Sequence, residues 1–391
     1  MNAKNKVVVS SLLIVAAVVL LIPIYQAPVW WVSLEAPNYP EEAFPDGVRI
    51  LFHLNGVFSG CGLMENTEIS RDEALDCVHE MDTINHYVGM YPIASGGPVE
   101  LFFSIFLLAL VGVMLIGYIV TKPIARTGVM AIGFIALAVW MGLTWYGADG
   151  LKYHDADYLE GRITVLGEVV EEDEDVAAEM TPGEALIARL KASLGESEPA
   201  AEPELPAADL DGKAKSIAYL NRAYTGDMAR RTDVTEAWSG SGRQLLAWHY
   251  EKSLGRYFRD QETLAPMVAK MTNAGNVVFW GIVAVMVLLL VAARKPRGLF
   301  NKLLVFIPMT LPLLFIIEYA TWLWWYGHNM NSMGAFTLKP FMPTVFGQGK
   351  VAQFTTNSYP DYGFWLIVLF SVLLAAAVYL RSQRTEDADE E

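Results

Sequence analysis

The chain has 391 residues, of which 53% are hydrophobic, and a formal net charge of −15. Its mean hydropathy is positive, too apolar for a soluble globular protein of this size, and the acidic balance excludes the basic footprint of a nucleic-acid-binding surface. The apolar residues are gathered into long uninterrupted runs, which is the pattern of a membrane protein.

Runs at 7–23, 101–120, 129–145, 277–293, 303–325 and 364–380 each approach the roughly 20 residues that cross a bilayer core, so six spans are expected. Lys4 and Lys6, Lys122 and Arg126, Arg294, Lys295, Arg297 and Lys302, and Arg381 and Arg384 all fall on one side of these spans. Basic residues in short loops stay in the cytoplasm, so both termini are expected there, in a bacterial inner membrane. Segments of about 24–98, 146–275 and 326–362 then lie outside, and they carry all six histidines and both cysteines. The first run reads as a retained anchor, because no small-x-small cleavage pattern precedes Pro28.

After the anchor, three prolines between Pro28 and Pro40 predict an extended path, and 48–54 is a short strand candidate. Cys61 and Cys77 face an oxidising compartment, where a disulfide closing that loop would contribute roughly 3 kcal/mol; thiolate ligation is the alternative. No CxxCH occurs, which excludes a covalent c-type haem. A helix start at Ser70-Arg-Asp-Glu73 would place His79, Asp82, His86 and Met90 on one face at spacings of three and four.

The second and third spans form a hairpin around Lys122-Pro123 that ends in Trp145-Tyr-Gly147. The fourth and fifth form another around Lys295-Pro296 that ends in Trp325-Tyr-Gly327, which suggests a weak internal repeat. Between the hairpins, 168–175 is acidic, a helix is expected from Thr181 to about Leu194, 196–206 is an Ala/Glu/Pro linker, and 211–270 is helical again. This insert reads as an appendage on a flexible tether. In the fifth span Pro308 and Pro312 predict a kink. Glu318 lies inside that span, where an unpaired carboxylate is costly and marks a partner, a proton or a pathway.

Thioether and imidazole suit copper(I), and imidazole and carboxylate suit copper(II). His86 and Met90, with Asp82 one turn earlier, therefore form a candidate copper site, which His328, Met330 and Met333 could complete. His53, His79, His154 and His249 are weaker candidates. Lys339 and Lys350 flank a Pro/Gly-rich loop suited to snorkelling or to an anionic contact. HExxH, GxSxG, Walker and dinucleotide fingerprints are absent, so no enzyme motif is present.

Three stretches, Leu34-Glu-Ala-Pro-Asn-Tyr-Pro40, Ile84-Asn-His-Tyr-Val-Gly-Met90, and the run from Trp325 through Met330, Lys350 and Phe354 to Tyr359-Pro-Asp-Tyr-Gly363, carry a resemblance. The pattern resembles polytopic membrane proteins encoded beside nitrous oxide reductase and its copper-maturation factors. It does not cover the acidic insert or the Cys61–Cys77 loop. It implies an accessory role in nitrous oxide respiration, either copper supply or electron delivery to the periplasmic reductase; with the residue reading, the expectation is a non-enzymatic protein whose partner is periplasmic nitrous oxide reductase or a copper chaperone. By motif it carries over His86, Met90, His328 and Glu318.

The fold expected is a membrane all-α protein of six transmembrane helices with a small α+β extracytoplasmic cap and a largely helical, acidic extracytoplasmic insert. Its division is an anchor (1–25), the cap (26–98), a hairpin (99–147), the insert (148–274), a second hairpin (275–326), a His/Met loop (327–362), a last span (363–381) and an acidic tail (382–391). Two other functions fit the same sequence: a subunit of an electron-transfer or transport assembly using Glu318, and a membrane anchor recruiting partners.

Overall fold

The computed structural model describes residues 3–41, 44–62, 76–166, 212–231, 236–294, 299–351 and 353–389. The expected helix start at Ser70, the helix from Thr181, the linker 196–206 and the Lys295-Pro296 turn lie outside the described residues. Among the described residues five helices are long and apolar enough to cross a membrane: α1 (Ala3–Gln26), α3 (Pro98–Ile119), α4 (Pro123–Tyr146), α8 (Gln261–Ala293) and α11 (Tyr362–Asp389). The remaining apolar stretch is broken into α9 (Leu299–Met309) and α10 (Leu311–His328), a pair that is apolar enough when taken together and bent by 52°. The break is the kink expected from Pro308 and Pro312, since Pro312 has no N–H to offer the Pro308 carbonyl and its ring crowds that oxygen.

The helices pack through seams that recur every three and four residues. On α1 the buried positions include Ser10, Ile14, Ala17, Leu21 and Ile24, and on α11 Ile367, Phe370, Leu374 and Ala377. That spacing is the 3.5-residue repeat of a left-handed helix pair. Small residues let the two antiparallel backbones approach, and the Ser10 hydroxyl donates to the Ala377 carbonyl at 2.9 Å. The opposite face of α1, including Leu12, Val19 and Ile22, is exposed and apolar, as lipid contact requires. The aromatic-rich α3, with Phe102, Phe103 and Phe106 fully buried, packs against α1, α4, α8 and α9.

The α1–α11 pair continues directly into a sheet. Strands β1 (Trp30–Glu35), β2 (Val48–Phe52), β3 (Val57–Ser59), β4 (Gly347–Val351) and β5 (Phe354–Pro360) form five antiparallel strands in the order β3-β2-β1-β5-β4. Strand β1 follows α1 and pairs with β5, which precedes α11; Trp30 lies opposite Phe52 on one side and Pro360 on the other. Asp361 N donates to Val29 O at 3.0 Å and Gly363 N to Pro28 O at 2.9 Å, which carries the ladder into the helices. A single strand at 48–54 was expected in the cap. The structure corrects this: the cap joins the N-terminal segment to residues 347–360, which the sequence presents as a loop. Strand β5, Phe-Thr-Thr-Asn-Ser-Tyr-Pro, buries only Ser358, so it has no alternating apolar pattern to betray it.

Helix α2 (Cys77–Tyr87) packs on β2 and β3 and is clipped to them by the Cys61–Cys77 disulfide. The insert is also corrected. Helical residues 156–166 (α5), α6 (Gly212–Arg230) and α7 (Gly242–Tyr257) are not an appendage. Helix α7 buries Leu245, Leu246, Trp248 and Leu254 and packs on α3 and α4, while Gly242 lets its first turn rest on the Phe102 ring. Asp227 of α6 binds Trp248 Nε1 at 3.0 Å, Arg231 at 2.8 Å and Lys252 at 2.6 Å, which fastens α6 to α7.

Candidate functional site

Helix α2 starts where the Asp76 carboxylate caps it, accepting from Val78 N at 2.8 Å and His79 N at 3.2 Å. It ends at Tyr87, with Val88 as its cap and Gly89 at φ +79, a left-handed conformation that favours glycine. Met90 is therefore not on the helical stripe with His86. The turn carries it inward instead, its N–H bonded to Asn85 O at 2.9 Å.

That turn is where the two His/Met stretches meet. Asn331 N donates to Gly89 O at 2.6 Å and Phe336 N to Tyr87 O at 2.9 Å. The Asn331 side-chain amide reaches the Tyr91 hydroxyl at 3.3 Å. A Cβ at Gly89 would strike the Asn331 carbonyl, so glycine is needed here for space as well as for conformation. Met90, Tyr91, Tyr250, Phe258 and Tyr326 are buried in one aromatic cluster on which Met330 packs. His86 faces the same cluster, its ring 5.0 Å from Phe258 and 5.6 Å from Tyr257. Its Nδ1 is buried without a hydrogen-bond partner, and burial lowers its pKa, so the imidazole is neutral at neutral pH.

The other expected ligands stand elsewhere. The Asp82 carboxylate accepts from Ile93 N at 2.6 Å and Ala94 N at 3.4 Å, fixing the 3-10 turn Ile93–Ser95 that leads into α3. Complete burial nevertheless pushes its pKa up to about 7. His328 is exposed, stacked on Trp324 at 4.5 Å with its Nδ1 bonded to Trp324 O at 2.8 Å. Met333 and Met342 are exposed. His154 and His249 are buried and bonded to the Phe102 and Arg162 carbonyls, and burial lowers both pKa values. Among the described residues no three of His, Cys, Asp and Glu are grouped to hold a metal, so an ion at this junction would draw on thioether sulfur as well as imidazole.

Glu318 lies at a second feature. Because α10 turns away from α3 at the break, a cleft of about 260 Å³ opens between them. Its walls include Leu101, Leu108, Leu311, Phe315, Leu323 and Ile367, and both Glu100 and Glu318 line it. Gly96 and Gly97 set the level of α3: the Tyr326 hydroxyl occupies the place of a Gly96 Cβ, and Gly97 at φ +56 sits beside Trp322. Helix α3 thus begins below the end of α10, and Glu100 comes level with Glu318. Tyr319, next to Glu318, is tied to the sheet. It donates to Ser358 Oγ at 3.2 Å, which also accepts from Trp30 Nε1 at 2.9 Å and donates to Val345 O at 2.9 Å. Glu100 stands outside the apolar run that starts at Leu101, and only the bend brings it opposite Glu318.

No protein-family model, no curated protein and no solved structure matches this chain. The geometry of the junction and of the cleft therefore carries the functional reading.

Proposed function

We propose that the chain is a non-enzymatic inner-membrane accessory protein of nitrous oxide respiration that holds copper(I) as cargo on its periplasmic side, with both termini cytoplasmic. The observation that carries this reading is the backbone stitching of the 86–90 turn to the 328–336 loop, which gathers His86, Met90 and Met330 around one cluster. Two thioethers and a neutral imidazole form a soft donor set suited to copper(I), and the orphaned Nδ1 of His86 is a ligand atom in want of a partner. Asp82 is committed to the backbone and His328 to Trp324, so neither is assigned to the first contacts of the ion.

The resemblance-bearing stretches support the accessory role, because they converge in space. Leu34–Pro40 begins in β1 beside β5, and Ile84–Met90 meets the loop that follows Trp325. The orientation is supported at the other end of the bundle, where Arg381 bonds Tyr118 O at 2.6 Å and Arg126 bonds Val120 O at 2.9 Å. Periplasmic nitrous oxide reductase or a copper chaperone is the partner this role requires.

An anaerobic titration with copper(I) against a chromophoric chelator tests the site. The wild type takes up one equivalent, His86→Ala and Met90→Leu/Met330→Leu each weaken binding by about tenfold or more, and His328→Ala stays within about twofold. Wild-type affinity in His86→Ala would overturn the assignment.

A further inference from the structure

The cleft between α3 and α10 is independent of the copper reading and has its own chemistry. Its walls are apolar, its volume is about 260 Å³, and the described side chains lining it include two carboxylates but no lysine or arginine. His53, also on the wall, donates Nδ1–H to Gln26 O at 3.1 Å in its neutral form, and burial lowers its pKa. Among the described residues lining the cleft, no positive charge therefore answers the acids. Glu318 forms no hydrogen bond or ion pair to a described residue, and the charge of Glu100 acts on it and repels it. Glu100 has the Trp322 indole within reach and no cation.

The mouth of the cleft faces lipid. Leu107 of α3 lines it and is exposed, and on α10 Leu314 and Ile317 are exposed beside Glu318. A ligand would enter sideways from the bilayer, its hydrocarbon against the leucines and Phe315. Two like charges in an apolar groove are costly unless a cation comes between them. A primary ammonium offers three N–H donors, enough to bond both carboxylates, and Trp322 and Tyr326 add ring faces that attract a cation.

We propose that this cleft binds a membrane-soluble primary amine, an amphiphile whose ammonium group bridges Glu100 and Glu318 and whose hydrocarbon tail lies along α3 and α10. Geometry sets the selectivity: an alcohol of the same length retains the tail contacts and loses the charge, and a carboxylate is repelled. The bend at Thr310 is then a functional feature, because a straight fifth span would close the groove that admits the tail.

The test uses the full chain in nanodiscs of zwitterionic lipid, with tetradecylamine, tetradecanol and tetradecanoate compared by calorimetry. The amine is expected to bind at least about tenfold more tightly than the alcohol, and tetradecanoate more weakly still. Glu100→Gln and Glu318→Gln are each expected to lose about tenfold for the amine while leaving the alcohol unchanged. Equal binding of amine and alcohol by the wild type would overturn the proposal, as would an unchanged amine affinity in both variants. An unfolding temperature in the Gln variants at or above that of the wild type, as relief of the repulsion between the acids requires, shows that a lost affinity reports the site. Should either Gln variant fail to fold, Leu107→Trp fills the mouth from outside; it is expected to weaken all three ligands, and unaltered amine binding in it counts against the cleft.

Discussion

The two helix pairs that flank the cap are built in opposite ways. Helices α1 and α11 meet along a seam of small and branched residues, with Ala17 and Ala377 fully buried, and run without interruption into the paired strands β1 and β5. Helix α10 is tied by Tyr326 to Pro92 O at 3.2 Å, in the segment that leads into α3, and by Tyr319 to Ser358 of β5, and it leaves a cleft against α3. The closed pair supplies a rigid frame through the membrane and into the sheet. The open pair leaves room for a ligand, and a proline-enforced bend keeps it open.

Overpacking the closed seam should have the largest effect. Ala377→Phe places a ring where α1 and α11 touch, with a cost of about 3 kcal/mol or outright loss of folded protein, because the sheet depends on the same seam. Thermal unfolding of the purified protein checks this; a wild-type midpoint would show the seam to be less tight than described. A matching overpacking of the cleft, Leu311→Phe, should be tolerated by comparison, since empty space receives the ring.

The turn that feeds the open pair should reveal itself through pH. Asp82 has an ordinary pKa of 3.8 and is raised to about 7 in the folded chain. Between those values the folded state keeps a proton that the unfolded state releases. Stability from this group is therefore greatest below about pH 4 and falls as pH rises to about 7, by on the order of 2–4 kcal/mol, then levels off. Asp82→Asn should remove that slope from the unfolding midpoint between pH 4 and pH 8, and an undiminished slope would place its origin elsewhere. Ser358→Ala should have the smallest effect, about 1–2 kcal/mol, because Trp30 and Tyr319 would each be left without an acceptor. It should also loosen α10 against the sheet, read as faster hydrogen exchange at Tyr319; unchanged exchange would argue that the hydroxyl does not fix that helix.

What the sequence made legible follows from how local each signal is. The spans announce themselves by length and apolarity, and the prolines at 308 and 312 mark the bend where the structure has it. The disulfide expected between Cys61 and Cys77 is present. The five-stranded sheet was hidden because its β1–β5 ladder joins residues 320 to 330 apart, and β4 and β5 are polar with glycine and lysine in the first. The helical stripe from His79 to Met90 was overextended, since Gly89 ends the helix before Met90. The meeting of the two His/Met stretches rests on bonds between Gly89 and Asn331, which no periodicity encodes. Glu100 was passed over for a related reason: as the residue before an apolar run it looks like a boundary, and only the α3–α10 geometry makes it the counterpart of Glu318.

X-ray absorption at the copper edge on the copper(I)-loaded protein reads out the proposed thioether and imidazole site at the stitched junction. A mixed shell is expected, with sulfur scatterers from Met90 and Met330 and a nitrogen from His86, and with the sulfur contribution lost in Met90→Leu/Met330→Leu. A shell of nitrogen and oxygen alone, unchanged in that variant, would contradict it and place the metal away from the junction.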